Sequence, residues 1–77
     1  MEYPTTDLYL AAYLRSKGEE PELRLKGSVV VFVFDFEAVN KRTEEYWNGA
    51  QVDTLEFSEK IKETRTLMYN KKNENKA

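Results

Sequence analysis

The stretch Val29–Phe36, VVVFVFDF, alternates valine and phenylalanine at period two, so a single strand here needs cover on both of its faces. Upstream, EEPELRLKGS also alternates, with turn signals at Pro21 and at Gly27-Ser28. The spacing predicts a β-hairpin of Glu22–Lys26 with Val29–Phe34. A two-residue Gly-Ser loop suits a type II′ turn, because glycine takes the positive φ at the first loop position. That loop places Lys26 opposite Val29, Leu25 opposite Val30, Arg24 opposite Val31 and Leu23 opposite Phe32. Leu23, Leu25, Val30, Phe32 and Phe34 then share one face. Val29, Val31 and Val33 share the other with Glu22, Arg24 and Lys26. A three-residue loop would slip the register and set the phenylalanines among the charges instead.

Around the hairpin the pattern is helical. A first helix is expected to begin at Thr5 or Thr6 as N-cap and to stop at Gly18. Its LYLAAYL segment is apolar nearly all round, which suits a central helix approached closely at Ala11 and Ala12. Asp35 reads as the N-cap of a second helix with Phe36, Val39, Thr43 and Tyr46/Trp47 at helical spacing, ending at Gly49, and Glu37 to Lys41 has the favourable i,i+4 order. DTLE, Asp53 to Glu56, reads as a capping box. The third helix follows to about Tyr69, with Phe57, Ile61, Thr64 and Met68 turned inward. NKKNENKA, residues 70–77, reads as a disordered tail. The expected fold is a single α+β domain over residues 1–69, in the order helix, hairpin, helix, helix, with a two-stranded antiparallel sheet packed on the helices.

Composition removes several chemistries. The 77 residues include no cysteine and no histidine, so disulfides, thiolate sites and the usual neutral-pH general base are excluded. The serines Ser16, Ser28 and Ser58 have no histidine to activate them, and Gly18, Gly27 and Gly49 stand apart rather than in a phosphate-binding loop. Glu56, Glu59 and Glu63 fall on one helical face, but a solvated face with Glu56 paired to Lys60 explains them better than a cation site. The sequence thus points away from an enzyme and implies no cofactor or metal. The N-terminus carries no basic lead-in and no apolar run long enough to cross a bilayer, so the expectation is a cytoplasmic protein without a membrane partner.

Two surfaces remain as candidates. The first is a protein interface at Val29, Val31, Val33 and Arg24, with Trp47 as an anchor if half exposed. A lone tryptophan in so small a chain is otherwise read as core. Three buried valines would be worth several kcal/mol at about 1.5 kcal/mol or more each, so their face calls for a cover. The stems of Arg24 and Lys26, the chain's own helices, or another molecule could provide it, self-association through the hairpin included. The second candidate is a nucleic-acid contact at Lys62, Arg65, Tyr69 and Lys72, where cations interleave with an aromatic ring. Residues 60 to 77 carry six Lys/Arg against two Glu, a net +4, while the whole chain carries −2. Cations near a helix C-terminus also oppose the dipole, and that structural role is preferred over nucleic acid.

The strings TTDLYLAAYLRSKG, VVFVF and EYWNGAQVDTLEFSEKIKETRTLMYN resemble a family of short prokaryotic and mobile-element proteins known as a domain of unknown function. The likeness covers about residues 5 to 70; GEEPE and the lysine-rich tail fall outside it. The resemblance implies a shared fold and a context as an accessory of a phage or mobile element, and carries no activity with it. The leading expectation is a non-catalytic protein-interaction module, with a nucleic-acid-binding accessory as the alternative.

Overall fold

Gly27 adopts φ +63°, and among the described residues no non-glycine residue has a positive φ, which excludes a type I′ turn and leaves the type II′ arrangement at Gly27-Ser28. The pairing that follows is the expected one, from Lys26 opposite Val29 to Glu22 opposite Val33. The computed structural model describes residues 1–74. Its elements run β1 (Glu2–Thr5), α1 (Leu8–Ser16), β2 (Glu22–Lys26), β3 (Val29–Asp35), α2 (Phe36–Trp47) and α3 (Thr54–Glu74).

The sheet has three strands, not two, in the order β1-β3-β2. β1 lies antiparallel to β3, with Glu2 opposite Asp35, Tyr3 opposite Phe34, Pro4 opposite Val33 and Thr5 opposite Phe32. The Phe36 amide donates to the Met1 carbonyl at 2.8 Å and extends this pairing by one bond. Pro4 has no amide to donate, and it is tolerated because β1 is an edge strand. β3 is therefore central, which is why it is apolar on both faces.

The extra strand also moves the start of the first helix. Thr5 is committed to β1, and the helix is capped by Asp7, whose carboxylate accepts from the amides of Tyr9 (3.0 Å) and Leu10 (3.1 Å). Thr5 Oγ1 instead accepts from the Asp7 amide at 3.1 Å. Leu10 to Leu14 are all buried, as a central helix requires. α1 and α2 both close with paired backbone bonds, Glu19 to Leu14 and Gly18 to Arg15, then Ala50 to Glu45 and Gly49 to Tyr46.

Leu10, Tyr13 and Leu14 of α1, Val30, Phe32 and Phe34 of β3, and Val39 of α2 form the core, flanked by Tyr3, Leu23, Leu25, Tyr46, Phe57 and Met68. These side chains occupy the phenylalanine face of the sheet, so the helices form one layer and the sheet the other. α3 packs along α1. Thr64, fully buried, donates to the Lys60 carbonyl at 2.6 Å and accepts from Arg15 Nη1 at 3.1 Å. Arg15 also reaches Glu20 (3.3 Å) and Glu63 (3.7 Å), tying α1, α3 and the following loop together.

α2 and α3 begin at the expected N-caps, with Asp35 accepting from the Ala38 amide at 3.3 Å and Asp53 from the Glu56 amide at 2.9 Å, but Glu56 does not return a bond to the Asp53 amide, so only half of the expected capping box forms. α3 continues to Glu74, past the expected stop at Tyr69. Residues 70–74 contain no glycine or proline, Lys71 and Lys72 oppose the dipole, and Lys71 pairs with Glu74 at 3.2 Å. The last three residues of the expected tail, 75–77, lie outside the described residues. No helix among the described residues is long and apolar enough to cross a membrane.

Candidate functional site

The face of the sheet opposite the helices carries four cross-strand rows, set by the pairing of β3 with its two neighbours. Val29 sits beside Lys26, and Val31 beside Arg24. Val33 lies between Pro4 and Glu22, and Asp35 beside Glu2. From the Val31 row, the Arg24 guanidinium donates to both carboxylate oxygens of Glu2 (Nη1 to Oε1, 3.1 Å) and to Glu22 Oε2 at 3.0 Å. Glu2 stands two rows away on the far strand, so the arginine side chain has to cross β3 over Val33. Its aliphatic stem and the Pro4 ring shield that valine, which is 7% exposed although it lies outside the helix-side core. The Glu2 carboxyl is held below the usual glutamate range, chiefly by its hydrogen bonds from Arg24 and then by the arginine's charge. Pairing with Glu2 and Glu22 pushes Arg24 further up.

The other end of the face is open. Val29 is 49% exposed and Val31 half-buried, and with Pro4, Thr5, Thr6 and Lys26 they line one shallow depression. The valine face is therefore divided: the Arg24 bridge spans the half that holds Val33, where Met1, Glu2, Glu22 and Asp35 rim another shallow depression, while Val29 and Val31 are accessible. Sequence reasoning missed Pro4, Thr6 and Glu2 here because β1 was read as the approach to a helix.

Trp47 does not join this surface. It is 63% exposed at the end of α2, on the helical layer, where its ring meets Tyr46 edge-on with centroids 5.0 Å apart. Tyr46 in turn tilts against Tyr13 at 5.1 Å. The core reading of Trp47 is thereby corrected. Val39, Thr43 and Tyr46 take the inward positions at i, i+4 and i+7, and Trp47 falls one residue, about 100°, further round the helix. Burial raises the Tyr46 phenol above its ordinary value, with Asp7 and Tyr9 adding to the effect.

On α3, Lys62, Arg65, Thr66 and Tyr69 line a second open depression, and Lys72 follows Tyr69 by i+3. Tyr69 is 65% exposed. Of the predicted residues, Lys62, Arg65 and Tyr69 are brought together; Thr66, whose hydroxyl donates to the Lys62 carbonyl at 3.0 Å, was not foreseen. Glu56, Glu59 and Glu63 do not converge, and among the described residues no three acidic side chains form a cation-holding group. Glu63 is engaged by Arg15 and by Lys60 at 3.5 Å, so Lys60 pairs with Glu63 rather than with Glu56. On α2 the ion pair is Arg42 with Glu45 at 3.6 Å.

No family model, no curated protein and no solved structure matches this chain, and the family resemblance rests on the quoted strings alone.

Proposed function

We propose that the chain is a non-catalytic protein-interaction module that docks through its outer sheet face, and that the molecule docking there is a second copy. The accessory role in a phage or mobile element implied by the resemblance belongs to the same reading. Its support is the order of charges along the face. Lys26 stands beside the exposed Val29 at one end, while Glu22, Glu2 and Asp35 gather toward the other. A twofold axis lying in the plane of the face and perpendicular to the strands reverses the row order in the partner. It lays valine on valine at the centre and sets each Lys26 end over the partner's acidic end.

The four, five and seven residues of the three strands, each covering about 3.3 Å by 4.8 Å, give roughly 250 Å² per copy, or about 500 Å² in total. That is below the ~1,200 Å² of a standard stable interface, so the association is weak and concentration-dependent. Sedimentation equilibrium up to about 1 mM, where a −4 kcal/mol association half-saturates, is the test. The wild type should shift toward dimer, and Val29→Asp, at an exposed site, should remain monomeric. A wild type that stays monomeric throughout, or a Val29→Asp protein that associates equally, overturns the proposal.

A further inference from the structure

The cations of this chain differ in whether a carboxylate neutralises them. Arg15, Arg24, Arg42, Lys60 and Lys71 each lie within 4.0 Å of a carboxylate. Lys62, Arg65 and Lys72 have no such partner among the described residues, and they share one exposed face of α3 with the Tyr69 ring between them. At 1.5 Å rise per residue, Lys62 and Lys72 are about 15 Å apart along the helix axis. Arg65 sits one turn before Tyr69 and Lys72 just under one turn after it. The other cations without such a partner among the described residues, Lys17, Lys26 and Lys41, stand singly on separate elements, whereas here three gather around an aromatic surface open to solvent.

We propose that this face of α3 binds single-stranded nucleic acid, with phosphates on Lys62, Arg65 and Lys72 and one base stacked on Tyr69. The proposal is independent of self-association through the sheet. An unpaired base presents the flat surface that an exposed ring in a shallow depression can accept, whereas in a duplex the base faces are already stacked on one another. A duplex would also extend beyond the short cationic track toward the acidic remainder of a chain of net charge −2. An anionic membrane fits less well, because between Lys62 and Lys72 the face holds no aliphatic side chain to enter the lipid.

Fluorescence anisotropy with labelled single-stranded and duplex oligonucleotides, titrated with salt, tests this on the full chain. Three phosphate contacts at about 0.7 each give an expected slope near −2 for log K against log salt on the single strand. Arg65→Ala should reduce the steepness by about 0.7. Tyr69→Ala should weaken binding by roughly 5-fold to 150-fold with the slope retained. Lys41→Ala, which removes an exposed cation from α2, should leave both unchanged. Absence of binding at low salt overturns the proposal. So does duplex or anionic-vesicle binding as tight as single-strand binding, an unaffected Tyr69→Ala protein, or a Lys41→Ala protein as impaired as Arg65→Ala.

Discussion

Thr64→Val combined with Arg15→Met probes the contact that holds α3 in place. Thr64 is fully buried, and its hydroxyl accepts from Arg15 Nη1 at 3.1 Å while donating to the Lys60 carbonyl. Valine keeps the shape and the β-branch but removes the acceptor. A hydrogen bond to a charged group contributes about 1.5–3 kcal/mol. The remaining partners of Arg15, Glu20 and Glu63, are more than half exposed and offset only about 0–1 kcal/mol each. The expected loss for Thr64→Val is thus about 1–2 kcal/mol, or a fall in Tm of about 5–15 °C for a chain of this size. Arg15→Met retains the packed stem and removes the guanidinium. Urea denaturation of both single variants and the double variant should give a coupling energy near 1 kcal/mol. Effects that add to within about 0.3 kcal/mol would refute the contact as a stabilising link between α1 and α3.

Other consequences are equally direct. Gly27→Ala should cost about 1–2 kcal/mol in chemical denaturation, because φ is +63° while an added Cβ would meet nothing within 4 Å; an unchanged midpoint would contradict the turn geometry. Trp47→Ala should change stability by less than about 1 kcal/mol, against the ~3–5 kcal/mol of a core tryptophan, and thermal unfolding distinguishes the two. The depressed Glu2 carboxyl means that its contribution to stability is present above the unfolded glutamate value of about 4.3 and is lost as pH falls through the lower folded value. An NMR titration of Glu2 should show its midpoint rising toward the ordinary value in Arg24→Ala; an unmoved midpoint would show that the bridge over Val33 does not form in solution.

The hairpin register was legible because one glycine at a two-residue loop sets the pairing of every later residue, and the helix cores were legible from their period. β1 was not. Its alternation spans only Glu2 to Thr5 and includes a proline, and Thr5, Thr6 and Asp7 are all plausible N-caps, so a strand end was read as a helix start. The usable signal was the strand it joins: six consecutive apolar residues from Val29 to Phe34 suit a central strand better than half of a two-stranded ribbon. Trp47 was misplaced because Tyr46 and Trp47 are adjacent and only one of them can occupy the inward position. The division of the valine face depended on Glu2, whose partnership with Arg24 spans 22 positions and leaves no local trace in the sequence.

The most direct test of the divided face is a dilution series of two-dimensional NMR spectra with assigned valine methyl groups, across the concentration range of self-association. The methyl signals of Val29 and Val31 should move with concentration more than those of Val33, which the Arg24 bridge separates from the partner. Shifts centred on Tyr46 and Trp47, or equal movement of all three valines, would contradict an outer face sealed at one end and open at the other.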